Sequence, residues 1–193
     1  MLNIVIFGAP GSGKGTQSEL IIKKYNLHHI STGEILRQEI DNQTEFGRLA
    51  AQYTNQGHFV PDDVIIKMFA EVLDKTQHSK GYIFDGFPRN ILQATTLDNL
   101  LRERKMPIVA AFSLTVEDAD VIERLTRRGK LTGRADDNIE TIKHRLEVYK
   151  EHTEPLKDYY KKQGKLFIIK GDNSIENVFD EISQVIDRLL YLQ

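Results

Sequence analysis

The chain has 193 residues, 40% apolar and 28% charged, the content of one compact domain with a sizeable core. Lys+Arg 26 against Asp+Glu 28 leaves a net charge of −2, so the molecule lacks the broad basic field of a nucleic-acid binder. With no cysteine, disulfides, thiol nucleophiles and Cys-ligated zinc are excluded, and no apolar run approaches the roughly 18 residues of a membrane span. The opening Leu2-Asn3-Ile4-Val5-Ile6-Phe7 has neither the basic region nor the cleavage pattern of a secretory signal, so a soluble cytoplasmic protein is expected.

In chain order, Ile4–Phe7 reads as a strand buried on both faces. It runs into Gly8-Ala9-Pro10-Gly11-Ser12-Gly13-Lys14-Gly15-Thr16, which has the G-x-x-x-x-G-K spacing of a phosphate loop, and then into helical Gln17–Tyr25. Glycines let successive backbone N–H groups converge on phosphate oxygens, and the helix N-terminus adds partial positive charge. Lys14 is expected to reach the β- and γ-phosphates. Gly15 fills the slot where such loops carry the hydroxyl ligand of Mg²⁺, and Thr16 follows it, so other groups or waters must hold the metal.

A weaker strand is expected at His28–Ile30. From Ser31 to about Val60 the sequence is helical and mostly polar, closed by Gln56-Gly57-His58-Phe59-Val60-Pro61, and it fits the core poorly. Tyr82–Phe84 reads as another buried strand. Asp85 at its end is placed to hold Mg²⁺ through water, with a turn-forming role before Gly86 as the alternative. Ile108–Leu114 and Leu166–Ile169 complete the strands. Between Arg124 and Arg134 stand five basic residues and no acid, broken by Gly129 and Gly133, a pattern that suits a flexible flap over 127–137. Ile139, Ile142, Leu146 and Tyr149 form an apolar helical stripe; Ile175, Val178, Phe179, Ile182, Val185, Ile186 and Leu189 form another. Arg145 lies on the first stripe and needs an anionic partner, either a phosphate or a carboxylate such as Asp85 or Asp136. Pro155 predicts a kink or break after that helix. The six histidines show no metal spacing. Strands alternating with helices predict an α/β fold, its parallel sheet covered on both sides and its ligand beyond the strands' carboxyl ends.

Four motifs, Gly8–Thr16, Ser31-Thr32-Gly33-Glu34-Ile35-Leu36-Arg37, Asp85-Gly86-Phe87-Pro88-Arg89 and Gly133-Arg134-Ala135-Asp136-Asp137, follow one another as in nucleoside monophosphate kinases. Over nearly its whole length the chain resembles the adenylate kinases. The resemblance implies a single P-loop kinase domain over 1–193, a central parallel β-sheet flanked by helices, a small helical NMP-binding excursion at 31–60 and a short lid at 127–137. It implies reversible phosphoryl transfer from Mg-ATP to AMP, giving two ADP, by a monomer that takes no nucleic acid and no membrane as partner.

Residue by residue, the resemblance puts Gly11, Ser12, Gly13, Lys14, Gly15, Thr16 and Arg128 on the ATP side, with Gly171 as a backbone contact to the adenine. It puts Thr32, Gly33, Arg37, His58, Phe59, Val60, Gly86, Phe87, Pro88, Arg89 and Gln93 against AMP, with Arg134 and Arg145 reaching across the closed site. Lys14, Arg89, Arg124, Arg128, Arg134 and Arg145, together with Mg²⁺, are then expected to offset charge on the transferring group, Arg124 standing beside the phosphates. The short, cysteine-free lid resembles the short-lid form, for which no structural zinc is expected. Asn90 stands where pyrimidine nucleotide kinases commonly carry Asn, whereas Thr32 and Gln93 stand where those enzymes usually have Ala and Asn. An adenylate kinase is therefore expected, with a UMP/CMP kinase as the alternative. A guanine-reading Asn-Lys-x-Asp run is absent, which argues against a regulatory GTPase.

Overall fold

Along the first strand Ile4 and Ile6 join one hydrophobic cluster and Val5 and Phe7 another, and all four are buried. A strand apolar on both faces belongs inside a sheet covered on both sides. The computed structural model, which describes residues 1–76 and 80–191, has that architecture. In chain order the elements are β1 (Leu2–Gly8), α1 (Lys14–Tyr25), β2 (His28–Ser31), α2 (Thr32–Asp41), α3 (Glu45–Thr54), α4 (Asp62–Lys75), β3 (Gly81–Asp85) and α5 (Ile91–Glu103). Then come β4 (Ala110–Thr115), α6 (Asp118–Thr132), a 3-10 turn (Ala135–Asp137), α7 (Ile139–Val148), a π turn (Tyr149–Thr153), α8 (Leu156–Lys162), β5 (Leu166–Lys170) and α9 (Ile175–Tyr191).

All strand pairs are parallel, in the order β2-β3-β1-β4-β5. On one face α1 and α9 bury Ile21, Val178, Ile182 and Ile186 against Ile4, Ile6, Ile83 and Phe112. On the other, residues of α2, α3, α4, α5 and α8 pack on Val5, Phe7, Tyr82, Phe84 and Ala111. A third cluster, Ala9, Val121, Leu125, Ile142 and Leu146, fastens α6 and α7 beside the loop after β1. Register decides where the chemistry gathers: Asp85 lies level with Ile6 on one side and Ser31 on the other, and Gly8 lies level with Leu114. The glycine-rich loop, the start of α2 and Asp85 therefore leave the sheet at one edge, the carboxyl ends of the strands.

Several expectations change in detail. The Arg127–Thr132 stretch is helical, the last turns of α6, which ends at Gly133 in the left-handed conformation (φ 67°). Arg, Lys and Leu are strong helix formers, and they outweigh the one internal glycine. Gly129 is also useful there: a Cβ on it would lie 2.9 Å from the Asp137 carbonyl oxygen, so the glycine lets the returning chain lie close. The fourth strand, β4, begins at Ala110 rather than Ile108, because the Asn3 side-chain amide donates to the Met106 and Pro107 carbonyls and holds that approach as a loop. Ile139 and Ile175 head their helices and are exposed, so each stripe starts one turn later than its spacing suggests. The break expected at Pro155 is present, but it opens upstream as the π turn, where the Glu154 N–H donates to the Tyr149 carbonyl.

Candidate active site

The loop after β1 closes on itself. Gly11 has φ 78°, and a Cβ there would meet Leu125 Cγ at 2.9 Å; Gly13, with φ 95°, caps α1 in a conformation an L side chain resists. Lys14 folds back over the loop, its ammonium donating to the carbonyls of Gly8 and Ala9, each at 2.9 Å, with Ser12 Oγ at 3.5 Å. Desolvation pulls its pKa down to about 8; Asp85 opposes that shift, and Arg89, Arg145 and Arg128 reinforce it. On the far side of the loop, Gly171 follows β5 and lies against it: a Cβ on Gly171 would come within 2.9 Å of the Ser12 carbonyl oxygen. Arg124 donates to the Gly171 carbonyl at 3.0 Å, so it stands with Gly171 and not among the arginines of the cleft.

Asp85 is buried at the end of β3, and His29 on β2 brings its Nε2 to 3.7 Å of the carboxylate. Among the described residues, no group of three or more His, Asp or Glu is arranged to hold a metal ion. One buried acid beside a phosphate loop fits a cation that arrives with nucleotide phosphates and keeps its waters, which is the habit of Mg²⁺.

Facing the loop is a cleft of about 530 Å³ whose walls include Gly33, Arg37, His58, Phe59, Gly86, Arg89, Arg134 and Arg145. Ser31 caps α2 by accepting from the Glu34 N–H, and Thr32 at the first helical position donates to the Gly86 carbonyl at 2.7 Å. Gly86 has φ 77°, and a Cβ on it would press on Thr32 Oγ1. The guanidinium of Arg89 lies 5.1 Å from the Phe59 ring centroid and donates to the Gly86 carbonyl; it meets no carboxylate, and desolvation lowers its pKa to about 10. Phe87 turns inward instead, stacked on Phe69 with ring centroids 4.3 Å apart, so only its backbone is near the cleft. Val60 and Gln93 are buried behind Phe59, around a recess of about 20 Å³.

Three arginines around the cleft, Arg128, Arg134 and Arg145, do have acid partners. Arg128 makes a bidentate bridge to Asp137 (2.6 and 2.8 Å), Arg134 another to Asp136 (3.0 and 2.8 Å), and Arg145 reaches both acids at 2.9 and 3.1 Å. Desolvation pushes the Asp136 carboxyl up, but the hydrogen bonds of Arg134 and the charge of Arg145 outweigh it and hold it below the usual range. The carboxylate partner considered for Arg145 is thus the one it has in this structure. Three guanidiniums nonetheless share two acids.

Five further residues of the site were not singled out from sequence. Asp137 belongs to a motif but received no role. His29 lies in none of the four motifs, yet it reaches Asp85. His144 on α7 brings Nε2 to 3.1 Å from His58 Nδ1, and Thr153 in the π turn donates to the Arg89 carbonyl at 2.7 Å. Asp62, heading α4, accepts from the side-chain amides of both Asn90 and Gln93. A π turn is a local mark of function, but the sequence offers only Pro155 as its sign.

The family profile described as adenylate kinase matches residues 6–165. A protein of Azobacteroides pseudotrichonymphae named adenylate kinase is 57% identical over 98% of this chain and 99% of its own. Adenylate kinases of Parabacteroides distasonis and Bacteroides fragilis are 53% and 52% identical, each over 98% of this chain and 100% of their own length. With the phosphate loop, the Asp85–Arg89 turn and the Gly133–Asp137 segment converging on one cleft, the chain belongs to the adenylate kinase family.

Proposed function

We propose that the enzyme transfers the γ-phosphoryl group of Mg-ATP to AMP, reversibly, giving two ADP. One observation carries the reading: Lys14 and Arg89 both line the cleft, both depressed in pKa by desolvation and neither paired with a carboxylate. Two unpaired cations in a partly desolvated cleft call for anions between them. A phosphate oxygen of AMP forms the new bond to the γ-phosphorus as the bond to the β–γ bridging oxygen breaks, and ADP leaves. Positioning and charge neutralisation carry such a step, so no nucleophilic side chain is needed.

Lys14 meets the β- and γ-phosphates and Arg89 the phosphate of AMP. Arg128, Arg134 and Arg145 rest on Asp136 and Asp137 until phosphates compete for them, and the surplus of guanidinium over carboxylate supports that exchange. Arg124, held at Gly171, is assigned to the ATP base end of the site. Mg²⁺ bound with ATP, held by Asp85 through water, would supply further neutralisation of phosphate charge. The 31–60 and 127–137 segments are read as the two moving parts, which close to exclude water that would otherwise hydrolyse ATP. No described helix is long and apolar enough to cross a membrane.

Asn90, the residue that leans towards pyrimidine acceptors, has a local role: its side chain caps α5 by accepting from the Gln93 N–H and bonds Asp62. The test is an assay of ATP against AMP, CMP and UMP with diphosphate product measured. AMP is expected to exceed both pyrimidines in kcat/KM by roughly ten- to a hundredfold, the worth of one lost base pairing. Equal use of CMP or UMP overturns the reading.

A further inference from the structure

Gln93 is 2% exposed and its amide is held at both ends. Oε1 accepts from the Arg89 backbone N–H at 2.7 Å, and Nε2 donates to Asp62 Oδ1 at 2.6 Å. The chemistry of these partners fixes which end is which: a backbone N–H only donates, and an ionised carboxylate only accepts. Turning the amide over would set its carbonyl against the carboxylate and its NH₂ against an N–H.

Asp62 is held in turn. Asn90 Nδ2 straddles both of its oxygens at 2.9 and 3.0 Å, while Asn90 Oδ1 accepts from the Gln93 backbone N–H at 2.8 Å. Asp62, Asn90 and Gln93, the last through its backbone N–H as well as its amide, close a ring between the start of α4 and the start of α5. Its bond to Gln93 is charge-assisted, and hence stronger than an amide–amide pair.

A side-chain amide has two N–H bonds and two lone pairs, so one of each remains for a base in the recess that Gln93 lines. The two classes of purine differ at that edge only by exchange. A 6-aminopurine donates from its exocyclic nitrogen and accepts at N1; a 6-oxopurine accepts at its exocyclic oxygen and donates from N1. An amide free to turn over serves both. A fixed one serves one.

We propose that Asp62, steadied by Asn90, is a specificity-positioning residue that locks the Gln93 amide so that the acceptor site takes a 6-aminopurine monophosphate and refuses a 6-oxopurine. The proposal rests on the reading above that AMP is the acceptor and that Gln93 meets its base. Asp62 also sits in the first turn of α4, where any carboxylate is favourable, so a purely structural role needs separating.

The measurement is kcat/KM for AMP and for inosine monophosphate, with ATP as donor, in the wild-type protein and in Asp62→Asn, Asp62→Ser, Asp62→Glu and Gln93→Ala. Asparagine offers a donor as well as an acceptor and so tolerates either amide orientation. Serine removes the carboxylate while keeping a residue suited to a helix start, and it serves if the asparagine variant fails to fold. Either variant is expected to raise the inosine-to-adenosine monophosphate ratio at least tenfold, through KM of the acceptors more than through kcat. Asp62→Glu, which keeps an acceptor charge, is expected to restore most of the selectivity. A structural role alone would lower both substrates together and leave the ratio where it was. If Gln93→Ala leaves AMP use unchanged, the acceptor reading itself fails. If Gln93→Ala weakens AMP while the Asp62 variants keep the wild-type ratio, that reading stands and the lock is overturned.

Discussion

At Lys14 the chain places an ammonium among backbone carbonyls and lets burial depress its pKa to about 8, below the 10.5 of a free lysine. Between those values the unfolded chain holds more protons than the folded one, so the folded state gains stability as pH rises through that window. Nucleotide phosphates reverse the shift, because an anion beside the ammonium favours its charged form. Binding ATP at pH 8.5 should therefore take up a substantial fraction of a proton, read by calorimetry in two buffers of different ionisation enthalpy. Lys14→Ala should abolish the uptake and lower turnover about a hundred- to a thousandfold, the scale for removing one donor from a developing phosphate charge. Proton uptake that survives the substitution would assign it elsewhere. This lysine was legible because its signal is local: glycine spacing, a strand before and a helix after. Asp62 was not, because its partners lie 28 and 31 residues away and only the packing of α4 beside α5 joins them. Asn90 carries the same lesson. One position read in isolation points to a pyrimidine, and its observed bonds explain it as a cap.

At the scale of elements, apolar runs placed four of the five strands, with β2 expected only as a weaker one, and three-four spacing placed α7 and α9, whereas α4, α5 and α6 carried no reading from the sequence. Burial on both sheet faces is written into the composition of each strand run. The basic stretch before Gly133 is helical where its charge and glycines suggest an irregular segment, because helix propensity and the close return at Asp137 decide its form. The α2–α3 pair shows how much can hang on one small residue. Gly47 is buried in α3, which Thr44 caps, and a Cβ on it would collide with the Glu39 carbonyl near the end of α2. Backbone cannot move aside as a flexible side chain can, so Gly47→Ala should act as overpacking and destabilise by about 1–3 kcal/mol. For a chain of this size that is a fall in Tm of about 2–12 °C by scanning calorimetry. An unchanged Tm would mean that α3 tilts freely against α2 and that their close packing contributes nothing.

For the whole molecule, the decisive quantity is the difference in affinity between open and closed states, because a ligand shifts a conformational equilibrium only by that difference. In this structure Leu36, Ala50 and Val60 already share the core with the sheet, and the recess beside Gln93, at about 20 Å³, has room for about one water and not for a base. Base entry therefore requires the segment carrying His58, Phe59 and Val60 to move away and return. On the other side, Arg128, Arg134 and Arg145 are tied to Asp136 and Asp137, so triphosphate must compete with two carboxylates before those guanidiniums turn to it. The two rearrangements use different residues and should be separable. Amide exchange should slow over 31–60 when AMP is added alone and over 127–137 when ATP is added alone. An analogue joining two adenosines through a phosphate chain should protect both segments beyond either nucleotide, because only it engages both sets of arginines at once. The strands of the sheet should exchange at unchanged rates throughout. Protection that appears equally in both segments with AMP alone would mean that they move as one body, and the assignment of 31–60 and 127–137 as two separate moving parts would have to be given up.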